Sequence, residues 1–206
     1  MIIGIEGVSC TGKTTLAAAL AAALGNPPVI GCYYHCAPDP AQLPNPETTT
    51  GEEQLAGLQM LLRVEKLRYD KAMTAISSGG DVILDRSVDT LLAHTHAIGR
   101  LHRFDVDDDA RTLVQSHKVI IPDLTILLHA HPDTLSHRAA QRVNMPPIYY
   151  DPQFTAYFHE HFAHPLTHQL VRISTDLPLP DTLKAARTAI ALHRSTAPAV
   201  RLAGAR

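Results

Sequence analysis

Three cysteines, Cys10, Cys32 and Cys36, are too few and odd in number to frame a disulfide scaffold. Cys10 also falls inside a glycine-rich loop that an oxidised partner would obstruct, so all three read as reduced thiols of a cytoplasmic protein. Charge of neither sign dominates. With 18 basic against 20 acidic residues the net charge is −2, and electrostatics give no case for nucleic acid or a membrane as partner. Long hydrophobic runs are missing too. The longest, Leu16 to Leu24, is far too short to span a bilayer, and a strand that begins at residue 2 leaves no room for a signal peptide. N-K-x-D and D-x-x-G occur nowhere, which excludes a GTPase switch. What remains is a chain of 206 residues, 45% hydrophobic, read as one globular domain over residues 1–206 without repeats. A homodimer is as compatible with these numbers as a monomer.

The stretch Gly7-Val8-Ser9-Cys10-Thr11-Gly12-Lys13-Thr14 fits G-x-x-x-x-G-K-[ST] at every fixed position. It follows the apolar run Ile2-Ile3-Gly4-Ile5 and opens into an alanine- and leucine-rich helix, the context the motif requires. Gly7 and Gly12 permit backbone conformations and approaches that a Cβ blocks. The amides of residues 8 to 14, including those of Ser9, Cys10, Thr11 and Thr14, then surround an anion at the positive end of a helix, with Thr15 next in line. Lys13 reaches the β- and γ-phosphates, and the Thr14 hydroxyl is a Mg²⁺ ligand. The chain is expected to bind a nucleoside triphosphate.

Taken in order, the pattern predicts strands at 2–5, 29–34, 81–85, 123–129 and 170–173. Helices are expected at 52–78, 87–98, 107–117, 132–143, 152–169 and 181–193, with a frayed tail from 195. The proline-rich stretch 37–51 reads as a long functional loop. Strands alternating with helices imply a parallel sheet covered on both faces, and ligands then bind beyond the strands' carboxyl ends. Asp85 closes an apolar strand there, where a carboxylate serves Mg²⁺ or its waters, and Arg86 follows at once. Arg138 and Arg142, four apart on one helix, read as lid arginines that neutralise the transferring phosphoryl group, in a lid over about 138–151. Thirteen histidines suggest no protein metal site: His159-Glu160-His161 fails H-E-x-x-H because residue 163 is Ala.

Ile5-Glu6-Gly7 through Thr15 resembles the opening of thymidylate kinases and deoxynucleoside kinases. Leu84-Asp85-Arg86-Ser87 and the residues to Ala93 resemble the Asp-Arg-Tyr segment of the former, and Pro122-Asp123-Leu124-Thr125 resembles the strand before their lid helix. The resemblance spans roughly residues 2 to 193. It implies the P-loop NTPase fold, an α/β fold with a five-stranded parallel sheet in the order 2-3-1-4-5, and ATP with Mg²⁺ as donor. It also implies that Asp85 handles Mg²⁺, that Arg86 contacts the transferred phosphoryl group or the acceptor, and that the turn with Thr175 and Asp176 holds the adenine.

The acceptor half departs from that family. Its Arg-Glu-Pro after strand two has no counterpart, since no Lys or Arg occurs between Lys13 and Arg63. His94 and Thr95 stand where it has a Tyr-Gln pair beside the thymine, and Met60 stands near its stacking Phe. A hydroxyl acceptor benefits from a carboxylate near its proton, and Asp39 is the nearest candidate base, with His35 and Glu47 behind it. A monophosphate acceptor needs cations instead, for which Arg63, Arg68 and Arg86 are candidates. The reading is an ATP-dependent kinase of a nucleoside or nucleoside monophosphate, tilted towards a hydroxyl. The alternatives are a kinase of a non-nucleoside natural product or antibiotic, and a non-catalytic nucleotide-binding module.

Overall fold

In the computed structural model, which describes residues 1–142 and 145–196, strand β1 (Ile2–Glu6) runs through the middle of a parallel sheet. Ile3 and Ile5 are fully buried, as a strand covered on both faces requires. β1 pairs with β3 (Val82–Asp85) on one side and β4 (Leu124–His129) on the other, in the registers Ile3↔Ile83 and Ile3↔Leu124. β2 (Val29–Ile30) and β5 (Leu170–Ser174) form the edges, giving the expected order β2-β3-β1-β4-β5.

Parallel strands need long crossovers, and the helices supply them. They are α1 (Lys13–Ala23), α2 (Tyr33–Cys36), α3 (Gly51–Ser77), α4 (Val88–His102), α5 (Asp107–Gln115), α6 (Pro132–Ala139), α7 (Pro152–His161) and α8 (Leu179–Thr196). On one face, Leu16, Ala17 and Leu20 of α1 and Ile190 of α8 pack on Ile3, Ile126 and Leu128. On the other, Ala93 and Ala97 of α4 and Phe154 and Phe158 of α7 close over Leu127, and α3, α4 and α5 share a second cluster built on Leu58, Leu62 and Leu92. Side-chain caps start several helices: Thr50 accepts from the Glu53 amide, Ser87 from Asp89, and Asp151 from Gln153 and Phe154.

Four expected spans are corrected. β2 stops at Ile30, because the Gly31 carbonyl is taken by Arg68 and Cys36 side chains and Tyr33 turns inward on a short helix. α4 runs on to His102 and ends where Arg103 adopts a left-handed φ of 63°. The helix expected over 132–143 ends at Ala139, and residues 143 and 144 lie outside the described ones. The helix expected over 152–169 ends at His161, four residues before Pro165, which bars a helical residue ahead of it. Of the expected tail, Ser195 and Thr196 belong to α8, and residues 197–206 lie outside the described ones. No helix among the described residues is long and apolar enough to cross a membrane.

Candidate active site

The turn from β1 into α1 admits only the glycine it has. At Gly7, with φ 137°, a Cβ would lie 2.4 Å from the Leu128 carbonyl oxygen of the neighbouring strand. Gly12 caps α1 in the left-handed region, with no side-chain cap and no acidic residue in the first turn. The positive end of the helix is therefore left for a ligand. Lys13 curls back over the loop, its Nζ donating to Val8 O at 2.6 Å and to Thr11 Oγ1 at 3.5 Å. Burial, then the Arg86 charge, lower its pKa to about 7 against the pull of Asp85 and Glu6. A dry cation that has lost its proton affinity in this way is restored by an anion, which is what the loop's amides also ask for.

Beside the loop, Thr14 Oγ1 donates to Asp85 Oδ2 at 2.6 Å, so helix α1 and the end of β3 meet through two hard oxygen donors. Asp85 is 2% exposed. Arg86 follows it at φ 71°, with its amide donating to Ile5 O and its guanidinium reaching Gly7 O at 3.4 Å and Thr90 Oγ1 at 3.5 Å. A buried carboxylate holds this corner. Glu6 accepts from the Ser87 amide at 2.5 Å, from Ser87 Oγ at 2.7 Å and from Thr90 Oγ1, so the start of α4 is fastened to β1. Burial raises the Glu6 pKa, and the Thr90 and Ser87 hydrogen bonds oppose it. Sequence reasoning missed Glu6, although a lone acid closing an apolar strand was the signal.

On the far side of the loop a cavity of about 380 Å³ opens between Cys10, Gly12 and Thr15, Arg138 of α6, Arg142 just beyond it, and Thr175 and Leu177. Arg138 is anchored in its wall, with Nη1 on Cys10 O at 3.2 Å and Thr175 Oγ1 at 3.1 Å, and Nη2 on Thr175 O at 2.6 Å. Arg142 lines the same cavity; its amide donates to Ala139 O at 2.9 Å, and its guanidinium makes no hydrogen bond or ion pair among the described residues.

Towards α3 and α4 lies a buried polar cluster. Thr48 Oγ1 donates to Gln54 Oε1 at 2.6 Å, and Gln54 Nε2 donates to Thr95 Oγ1 at 3.0 Å and lies 3.5 Å from His94 Nδ1. His94 packs edge-on to Phe154 and near Tyr149, with ring centroids 5.5 and 6.1 Å apart. Burial, then the Arg86 charge, lower its pKa to about 4 against the Pro46 carbonyl, so the ring is neutral at physiological pH. Its Nε2 is buried without a hydrogen-bond partner.

No family model matches the chain. A probable thymidylate kinase of Archaeoglobus fulgidus is 28% identical over 155 residues, covering 72% of this chain and 74% of that protein. The thymidylate kinase of Candida albicans superposes with a TM-score of 0.73 at 20% identity, covering 94% of this chain and 92% of its own. Deoxyadenosine kinase from M. mycoides with bound dATP gives 0.71 at 15% identity, over 93% and 100%. The chain shares its fold with thymidylate and deoxyadenosine kinases.

Within this fold the residues expected around phosphates converge: Gly7, Thr11, Gly12, Lys13, Thr14, Asp85 and Arg86 meet at the carboxyl ends of β1 and β3. Four other expectations change. Asp176 turns away from the cavity: its carboxylate accepts from the His131 amide and Ser174 Oγ. Hydrogen bonds from Thr134, then from His131 and Ser174, lower its pKa to about 2, and it holds the amide of His131, the residue whose side chain caps α6. Asp39 is exposed and caps a short 3₁₀ turn, accepting from Ala41 N at 3.0 Å and Gln42 Nε2 at 2.9 Å. Arg63 points to solvent. Arg68, expected to hold an acceptor phosphate, is fully buried, with its guanidinium on Glu65 and backbone carbonyls.

Proposed function

We propose that this chain is an ATP-dependent kinase that transfers the γ-phosphoryl group to a nucleoside or nucleoside monophosphate. The observation that carries the proposal is the joint placement of Lys13, Thr14 and Asp85 at one loop, with Arg86 leaning over it. Phosphoryl transfer needs positioning and charge neutralisation more than covalent help. The loop amides and Lys13 hold and polarise the donor phosphates. The hydroxyl of Thr14 and the carboxylate of Asp85 would hold Mg²⁺, which would offset charge that develops on the transferring phosphoryl group. Arg86 supplies a guanidinium beside the loop, and Arg142 supplies one from the cavity side. Thr175 and Leu177 border the space left for the base of the donor.

The acceptor reading remains tilted towards a hydroxyl. Of the basic side chains on α3, Arg63, Lys66 and Lys71 are exposed and Arg68 is sequestered, which leaves Arg86 as the guanidinium facing the loop. A monophosphate carrying two charges is usually gripped by more than one cation. The His94 ring is neutral and offers one unpaired ring nitrogen to a planar, hydrogen-bonding group. Three unpaired cysteines fit a reducing, cytoplasmic setting.

ATP consumption by the purified protein with Mg²⁺, against thymidine, deoxyadenosine and their 5′-monophosphates, tests the proposal. Acceptor-dependent ADP release with formation of the phosphorylated acceptor is expected, and lost in Lys13→Ala. ATP binding with no turnover on nucleosides, nucleotides or simple aminoglycoside and phenol alcohols would make the chain a nucleotide-binding module.

A further inference from the structure

The side chain that best explains how Arg86 is held in place does not itself reach the phosphate loop. Arg68, on α3, is fully buried, and its planar fork is divided among four partners. Nε donates to Gly31 O at 3.0 Å, Nη1 to Glu65 Oε2 at 2.6 Å, and Nη2 to Asp85 O at 3.4 Å and to Arg86 O in a short contact. Its guanidinium carbon lies 4.3 Å from the centre of the Tyr33 ring. Tyr33 OH donates to the same Glu65 oxygen at 2.9 Å, and the other Glu65 oxygen accepts from the Ile120 amide at 3.0 Å. One buried charge pair thus gathers the ends of β2 and β3 and the segment leading into β4.

Arg86 needs that support. Its left-handed backbone at φ 71° is unfavourable for a residue with a long side chain, and nothing in its own sequence, unlike a glycine or asparagine, eases it. The conformation is fixed from three sides: the Arg86 amide on Ile5 O, its carbonyl on Arg68, and the next amide, of Ser87, on Glu6. Two of the three anchors come from β1, which carries the phosphate loop. The third is Arg68 alone, and removing it frees the peptide that aims the Arg86 guanidinium at Gly7 O.

We propose that Arg68 is a positioning residue: through the Arg86 and Asp85 carbonyls it sets the direction of the Arg86 guanidinium, and so couples α3 to phosphoryl transfer. The proposal rests on the kinase reading given above. It differs from a purely structural role in one respect, that the effect on catalysis must pass through Arg86. Lysine at this position keeps a charge beside Glu65 but lacks the fork that reaches Gly31 and Arg86 together.

The test is a double-mutant cycle of Arg68→Lys and Arg86→Ala, read as kcat/KM for the acceptor with Mg²⁺-ATP and the best of thymidine, deoxyadenosine, dTMP and dAMP. Arg68→Lys should lower kcat/KM about 10- to 100-fold, as a misplaced group does, while the ATP dissociation constant and the circular dichroism spectrum stay close to those of the wild type. In the Arg86→Ala background the same substitution should change kcat/KM by no more than about two-fold. Equal losses in both backgrounds, or wild-type kinetics for Arg68→Lys, would overturn the proposal. Should Arg68→Lys not fold, Glu65→Gln, which keeps the shape and loosens the grip on Arg68, takes its place in the cycle with the same expectation at smaller amplitude. Wild-type protein without transfer to any acceptor would overturn the kinase reading together with this one, whereas wild-type transfer with additive losses overturns this one alone.

Discussion

Thr14 Oγ1 and Asp85 Oδ2 stand 2.6 Å apart, one on the first turn of α1 and the other at the last residue of β3. Because two separate elements carry the pair, its geometry is a readout of how the helix seats on the sheet. Asp85→Asn keeps the hydrogen bond and removes the charge. Turnover should fall roughly 10²–10³-fold, and ATP binding measured without Mg²⁺ should hold within a few-fold. A strong loss of metal-free binding would instead mark Asp85 as part of the nucleotide contact.

Lys13 gives a pH signature. With a pKa near 7 in the free protein it is mostly neutral at pH 8. Phosphates placed against it raise that pKa again, so binding ATP at pH 8 should take up about one proton. Calorimetry in buffers of different ionisation enthalpy measures this, and Lys13→Met should abolish it. Stability follows the opposite course: the unfolded lysine holds its proton up to 10.5, so between pH 7 and 10.5 the unfolded chain binds more protons and the Lys13 contribution to stability rises with pH. Uptake of no proton at pH 8 would show that the ammonium stays charged without ligand.

Arg138 of α6 and Arg142 just beyond it should separate. Arg138 already bridges Cys10 and Thr175, so Arg138→Ala should loosen the nucleotide cavity and raise the KM for ATP about ten-fold. Arg142 has no such anchor among the described residues, and Arg142→Ala should lower kcat roughly 10²-fold or more with little change in that KM. Identical kinetic phenotypes would show that both arginines work at the same stage.

His94 should report on the acceptor. Replacing it with Phe keeps the aromatic packing against Phe154 and removes the unpaired Nε2. The KM for the acceptor should rise about three- to ten-fold, with ATP kinetics unaffected. An unchanged acceptor KM would place the acceptor elsewhere.

The donor half of the site was legible because a phosphate loop is local: eight consecutive residues bring their own strand and helix. The strands were legible for a related reason, since strands buried on both faces appear as short apolar runs, whereas their order was implied by the resemblance to thymidylate kinases. Asp39 and Arg68 sit elsewhere than expected because the destination of a charge depends on which partners the fold offers it. Asp39 finds an amide two residues on and stays at the surface, while Arg68 finds Glu65 and three carbonyls inside the core. Strand β2 was drawn too long for the same reason: Tyr33 and Tyr34 suit a strand by type, but the Tyr33 hydroxyl is drawn to Glu65. Met60 was considered for its likeness to a stacking position and is instead 41% exposed.

The pairing of β1 has a bearing on how the chain comes to life. Ile3 is made before its neighbours in the sheet, Ile83 and Leu124, and the close approach at Gly7 is to Leu128. During synthesis β1 lacks its first partner until β3 is made and its second until β4 is made, an interval in which an apolar strand is open to wrong pairing. The phosphate loop shares that delay, since its shape is set by a strand made much later. ATP therefore cannot assist the early steps, and a nascent chain halted before β4 should carry the complete motif and bind no nucleotide.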